Sequence, residues 1–333
     1  MPFSALPDDI LLPILSDAFP TAADLTDWKR QLAVLSISQQ VRQLMLPKIY
    51  CDVFIMSYFE DSLSNDNTVV KTNIKLAAAT GNFHFARVLN IKAIYQLRQL
   101  VALESAINAL TPHSGHLDHI TELEVVLTYG NDCDYNAKNS IVLAEDSMVC
   151  NAERIVELVP NITSIFYYGF TRNHSTAPFY STLISSRAGQ LSRLTHHAPF
   201  DFPPFIVFSQ ITHLDIQLDV NNTDNLPRIC PDTIQYLRII NLPTGYTWGL
   251  FGYNDVPGAM TLPRITEIDI QYSECPAIDN QVDFEAAGQC KIHTPRLHTL
   301  ELYGRVRLPL LRSIVLPKLM ESINIETYAG VIL

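Results

Sequence analysis

The chain has 333 residues, 47% hydrophobic and 17% charged, with a formal net charge of −11. That balance describes a folded chain with a large core. With no block of Lys and Arg, it excludes nucleic-acid binding through phosphate neutralisation, which needs a basic face. The length allows two domains, or one elongated domain with a small appendage. The six cysteines are scattered with no C-x-x-C pair, which speaks against a zinc site or a disulfide framework and for reduced thiols in an intracellular protein. No stretch reaches the length of a membrane span, and Asp8 and Asp9 stand where a secretory signal carries Lys or Arg. The N-x-[ST] sequons at Asn161, Asn173 and Asn221 are accordingly read as chance.

The first predicted element lies in "LPDDILLPIL", residues 6–15, where Leu6, Ile10, Leu11, Ile14 and Leu15 recur at helical spacing and leave one apolar stripe. Pro7 suits a first turn, and Asp8 and Asp9 complement the positive end of the dipole. Pro13 removes a helical hydrogen bond at a cost of about 3 kcal/mol, so the helix is expected to start near Asp9 or bend at Pro13. "PTAADLTD" (20–27) reads as a linker with capping residues at Thr26 or Asp27. A second helical stretch runs from Trp28 to Leu46 and is expected to stop at "LPK".

Beyond residue 50 a short phrase recurs, with apolar residues at i, i+3 and i+5. It appears as "ITELEV" (120–125), "ITHLDI" (211–216), "IQYLRI" (234–239), "ITEIDI" (265–270), "LHTLEL" (297–302) and "MESINI" (320–325), with weaker copies in "ITSIFY" (162–167) and "LSRLTH" (191–196). The middle apolar residues, from Leu123 to Ile323, are separated by 20 to 42 residues. A Pro often precedes the phrase and favours an extended segment after it. Helix-compatible stretches such as "AERIVELV" (152–159) and "APFYSTLISSR" (177–187) lie between copies. Strand, loop, helix, loop, repeated, implies units that bury their apolar faces only by stacking into a solenoid.

The spacing L-x-x-L-x-L resembles the strand portion of leucine-rich repeats. The Asn usual three residues past the last apolar position is absent: Thr128, Asp219, Leu242, Ser273 and Arg305 stand there. The beginning of "LPDDILLPIL" resembles the first helix of an F-box, and "LAVLSISQQVRQLMLPKIY" (32–50) resembles its ending. Ile37 and Ser38 stand for that family's Val-Cys pair, and Val41 for its Trp. The resemblance to F-box/leucine-rich-repeat proteins, fungal members especially, covers nearly the whole chain. It implies an α/β chain with a small helical F-box over 1–50. An irregular, ribonuclease-inhibitor-like leucine-rich-repeat solenoid would follow over 51–333, without a complete C-terminal cap.

By the same resemblance, Leu6, Pro7, Ile10, Leu11, Ile14 and Leu15 would bind the adaptor Skp1, and through it a cullin. The chain would be the substrate-recognition subunit of an SCF-type ubiquitin ligase in the cytoplasm or nucleus. It would be no enzyme itself and would need no cofactor. The plainer reading is that the stripe packs on the second helix and the first repeat. A repeat scaffold with a decayed F-box is the alternative, favoured by Val41 in place of Trp.

No G-x-S-x-G, H-E-x-x-H, P-loop or G-x-G-x-x-G motif is present. His196 and His197 are adjacent in an extended segment and should point to opposite faces, so they do not make a metal site. "NDCDYN" (131–136) lacks the Gly and distal Glu of a calcium loop and reads as surface, while "IFYYGF" (165–170) reads as strand and core. An enzyme on a repeat frame would need convergent polar residues in a closed pocket.

Strand alternation points the residue after each middle apolar position outward: Glu124, Phe166, Thr195, Asp215, Arg238, Asp269, Glu301 and Asn324. Tyr168, Gln217, Gln271, Tyr303 and Glu326 form the neighbouring column. Glu124, Asp215, Gln217, Asp269, Gln271, Glu301 and Tyr303 are the candidate contacts for a protein target, and an acidic face would favour a basic one. The alternative is a solvated face on a protein acidic everywhere. The segment "ETYAGVIL" (326–333) follows the last phrase with no polar capping helix, so that end is expected to be incomplete, or covered by a partner or a second copy.

Overall fold

Pro13 does not stop the first helix. The structure, a computed structural model, describes residues 6–18, 25–59, 68–95, 100–129, 141–169, 177–200, 206–218, 227–242, 249–251, 259–272, 291–304 and 313–327. Helix α1 spans Asp8–Ala18, with the Pro7 carbonyl accepting the first N–H groups, from Ile10 and Leu11. Asp9, whose carbonyl loses its partner to Pro13, is exposed like the proline, so water can take the missing bond. Pro47 is likewise exposed inside α3 (Gln39–Ile49), which runs past the expected stop.

The second helical stretch is not continuous. Helix α2 (Leu25–Leu32) gives way to a 3-10 turn at Ala33–Ser36, and Ser38 then caps α3 by accepting the Val41 N–H at 3.1 Å. Helices α1 and α3 pack together through Leu11, Leu15, Val41, Met45 and Ile49, all buried. Trp28 is buried as well; its indole N–H donates to the Ile49 carbonyl at 2.7 Å and its ring meets Tyr50 edge to face.

The chain divides into two compact units, residues 1–162 and 163–333. The first holds these helices and the strands β1 (Asp52–Phe59), β2 (Thr68–Thr72), β3 (Val88–Tyr95) and β4 (Glu122–Tyr129). Their order is β2-β1-β3-β4, parallel except for β2. Helices α4 (Ile74–Ala79) and α5 (Leu100–Leu110) lie in the connections, and α6 (Ile141–Leu158) follows β4. Buried Leu103, Ala106, Ile107 and Leu110 form the core face of α5, which packs on β1 and β3.

In the second unit each described phrase forms a strand. These are β5 (Ser164–Gly169), β6 (Arg193–Phe200), β8 (His213–Leu218), β10 (Tyr236–Leu242), β12 (Glu267–Tyr272), β14 (Thr299–Gly304) and β16 (Ser322–Thr327), all parallel in chain order. Helix α7 (Ala177–Arg187) joins β5 to β6. The described residues of the later connections include short strands, which form two further parallel sheets. One pairs β7 (Val207–Phe208) with β9 (Arg228–Ile229); the other joins β11 (Ala259–Thr261), β13 (Lys291–His293) and β15 (Ile314–Val315). The result is an α/β chain with a large parallel sheet of repeated strand units.

Register is set at the corner entering each strand, where one carbonyl accepts two successive N–H groups from the next unit. Thr212 O accepts from Gln235 N at 2.8 Å and Tyr236 N at 3.0 Å, and Gln235 O accepts from Thr266 N at 2.8 Å and Glu267 N at 3.2 Å. The same pattern joins His298 to Thr266 and Glu321 to His298, and in the first unit Arg87 to Cys51 and Thr121 to Arg87. Hydroxyls reinforce it: Thr212 Oγ1 donates to Ser192 O at 2.8 Å and Thr266 Oγ1 to Gln235 O at 3.0 Å. This is the use of the Thr that recurs second in the phrase.

Two local departures matter. Strand β10 carries a bulge at Asn241, whose φ of 64° is left-handed. Gly304 has φ 92°, and a Cβ there would lie 2.8 Å from the Tyr272 carbonyl oxygen. At β16 the inward positions emerge: Ile323 is 51% exposed, whereas its β14 counterpart Leu300 is buried. Residues 328–333 and the "NDCDYN" loop lie outside the described residues.

The adjacent histidines do alternate. His196 is fully buried beside Tyr167 and Tyr180, while His197 stands on the other face. Tyr167 and Ile165 are core, as the aromatic segment implied.

Two outcomes follow. Thr266→Val should cost about 1 kcal/mol in chemical denaturation, the net value of one hydrogen bond, with the fold retained. Burial holds His196 neutral, with a pKa pushed down to about 3. Below the unfolded value of about 6.5 the unfolded chain binds a proton that the folded chain refuses, so stability falls as pH drops towards 3. His196→Leu should flatten that slope by up to about 1.4 kcal/mol per pH unit, measured as denaturant midpoints from pH 7 to 4.

Candidate functional site

The amphipathic first helix sorts the six stripe residues by phase. Leu11 and Leu15 face α3 and are buried at 0% and 4% exposure. Ile10 and Ile14, one turn apart, are 48% and 45% exposed. Pro7 is exposed and Leu6 half-buried. Packing therefore claims Leu11 and Leu15, which have no surface left for a partner. Leu12 and Pro13 add exposed apolar surface on α1, and Ile37 adds more beside the α3 cap at 55%. The Gln40 amide donates to Leu6 O at 3.0 Å and to Asp8 Oδ1 at 2.6 Å, and Lys48 Nζ donates to Ser16 O at 3.2 Å. These bonds tie both ends of α1 to α3, so the apolar surface of α1 is held on a fixed support.

The outward face of the second unit's sheet is the other candidate. In-register pairing sets Phe166, Thr195, Asp215, Arg238, Asp269, Glu301 and Asn324 in one continuous row. The next row runs Gln217, Ile240, Gln271, Tyr303, Glu326. All the candidate contacts of this unit thus share one face, half-buried rather than fully exposed. Glu124 belongs to the first unit, in register with Asn90 and Phe54.

The row is not a bare acidic surface. Arg238 lies between two aspartates, its Nε 3.0 Å from Asp269 Oδ2 and its Nη1 3.8 Å from Asp215 Oδ2. His197 Nε2 sits 3.0 Å from Asp215 Oδ2. The Tyr303 hydroxyl donates to Glu301 Oε2 at 3.1 Å, and the Asn324 amide donates to that hydroxyl at 3.2 Å. Burial pushes the Asp269 carboxyl up; Arg238 opposes this, while Glu301 and Asp215 add to it. Flanking aromatics include Arg193 over the Phe166 ring at 5.5 Å and His213 stacked on Tyr236 at 6.1 Å. Three carboxylates against one guanidinium leave the row acidic but internally paired.

Arg238 and His197 were missed as partners of the acidic column. Arg238 stands at the phrase position equivalent to Asp215 and Asp269, so parallel register brings these three together once the strands' starting points are known, whereas His197 reaches Asp215 from outside that row. Among the described residues no three His, Cys, Asp or Glu side chains gather as a metal site, and no helix is long and apolar enough to cross a membrane. A cavity within the second unit is lined by residues such as Leu237, Ile268, Leu302 and Thr294, which offer no acid–base pair.

Arg238→Met should strand Asp215 and Asp269 beside each other. A loss of about 1–3 kcal/mol at pH 7 is expected. It should shrink towards pH 4, because Asp269, whose carboxyl burial pushes up, no longer needs the cation once it takes a proton. Thermal melts of both proteins across that pH range measure it.

No protein-family model, no curated protein and no solved structure matches the chain.

Proposed function

We propose that this chain is the substrate-recognition subunit of an SCF-type ubiquitin ligase, resembling F-box/leucine-rich-repeat proteins. Its helices would dock a Skp1-like adaptor, and through it a cullin, in the cytoplasm or nucleus. Its ribonuclease-inhibitor-like repeats would hold a protein target. The observation that carries the reading is the pair Ile10 and Ile14, exposed on a helix whose other apolar side is already buried. Apolar residues left over after the core is filled, on a support tied at both ends, suit an interface anchor better than chance exposure. No chemistry is required of this chain. It would raise the effective concentration of a bound target near a ubiquitin carrier held elsewhere in the assembly. The two outward rows of the second unit, one with Asp215, Asp269 and Glu301 and the next with Tyr303, would meet the target.

A second reading has one observation in its favour. Val41, at the position where the F-box resemblance calls for Trp, is a core residue of the helical module. A repeat scaffold that no longer engages the adaptor would carry such a substitution without penalty.

Ile10→Asp with Ile14→Asp should reduce capture of a Skp1-like adaptor by more than tenfold, as expected when two anchors are removed. The melting temperature should stay within about 2 °C, the usual cost of surface substitutions. Leu11→Asp with Leu15→Asp should instead unfold the helical module. A wild-type chain that captures no adaptor would leave the scaffold reading.

A further inference from the structure

The strand face of the first unit carries hydrogen-bond acceptors in excess of donors. Parallel register places Asp52, Val88 and Glu122 in one row, and Phe54, Asn90 and Glu124 in the next row on the same side of the sheet. Three carboxylates from β1 and β4 thus flank two residues of β3. Asn90 is 7% exposed, and its side-chain carbonyl oxygen is buried with no hydrogen-bond partner. A buried amide oxygen left without a donor is destabilising, so its retention calls for a reason.

The local charge balance points the same way. Burial first, then the like charges of Glu124 and Glu122, push the Asp52 carboxyl up to about 6, against the lowering from the Cys51 thiol bonded to it. Burial also raises Glu124, with Lys92 opposing. Arg87 acts on Cys51 and spends two hydrogen bonds on the carbonyls of His84 and Ala86. The carboxylates do not converge on one point as metal ligands would. Acceptors spread over neighbouring strands fit a planar donor with several N–H groups at fixed angles. A guanidinium has five such donors and stays charged when desolvated, whereas an ammonium is a compact and strongly hydrated point charge.

We propose that Asp52, Asn90, Glu122 and Glu124 form a docking site for the guanidinium of an arginine side chain presented by a partner protein. Its carboxylates would bind the fork with charge-assisted hydrogen bonds, and Asn90 would accept one N–H. This deepens the target-docking half of the proposed function and rests on it, while owing nothing to the adaptor.

The test is a methyl NMR titration of the full chain with N-acetyl-arginine amide, read at Met56, Val88 and Val126, which share the face of the site, without any adaptor. Saturable shifts confined to these methyls are expected, with N-acetyl-lysine amide binding at least about threefold more weakly. Asp52→Asn with Glu124→Gln should weaken the arginine probe at least about tenfold with the fold intact, since Asn mimics the protonated carboxyl. Asn90→Leu should weaken binding while keeping or raising the melting temperature, because it removes the unmet acceptor. Asp215→Asn with Asp269→Asn should change nothing here. No saturable shift, equal binding of the lysine probe, or indifference to the Asp52/Glu124 variant would each overturn the proposal. Loss of adaptor capture with arginine binding intact would count against the adaptor reading alone.

Discussion

A single carbonyl shared by two successive N–H groups at each corner is the constraint on which the strand faces depend. Within each unit it fixes where each new parallel strand of the large sheet begins relative to the last. Strand side chains alternate, so a slip of one residue would turn an entire core row out to solvent. With the corner fixed, Leu194, Leu214, Leu237, Ile268 and Leu300 stack inward as one layer. Residues that follow them in sequence are then forced into lateral contact outside. The ion pairs of Arg238 are a by-product of that alignment.

Connections between corners are free to differ. One uses α7, others use strands of two or three residues, and separations between phrases range over 20 to 42 residues. Each corner restores the register independently of what precedes it, so loop length does not accumulate as error. The helical module is built on another rule. A three-helix packing fills its own core with Trp28, Val41 and Met45 and leaves α1 with two apolar sides, one used internally and one facing out.

The strand phrases were legible because a period-two pattern with a fixed start cannot be satisfied by a helix. Outward rows were legible for the same reason, and so was the division of His196 from His197. What the pattern did not disclose were the pairings across strands, which need the register as well as the phase. Placing Asp215 beside Arg238 requires knowing that both phrases begin at equivalent corners. The first helix was legible as an apolar stripe but not in its division: a stripe containing Ile10, Leu11, Ile14 and Leu15 is wider than one packing face, and only the position of α3 tells which half is buried. Among the described residues of the later connections lie short strands such as "AMT" and "KIH", which helical spacing does not single out because segments this short carry no period.

Asn241 is a phase correction of one residue. The burial alternation along β10 runs regularly to Ile240 and then skips a position, so that Leu242 is buried beside Tyr272 instead of standing outside. Asn tolerates the left-handed backbone that the skip demands better than most side chains. Deleting that residue would remove the extra step and the left-handed backbone together: Leu242 would follow Ile240 directly and still point to the core by simple alternation. The correction also ends the outward face of β10 on Ile240, an aliphatic step between Gln217 and Gln271 in an otherwise polar row. A partner lying along that row would cross a greasy notch one strand in from its Gln217 end, and chain length rather than charge would decide where its apolar residue had to fall.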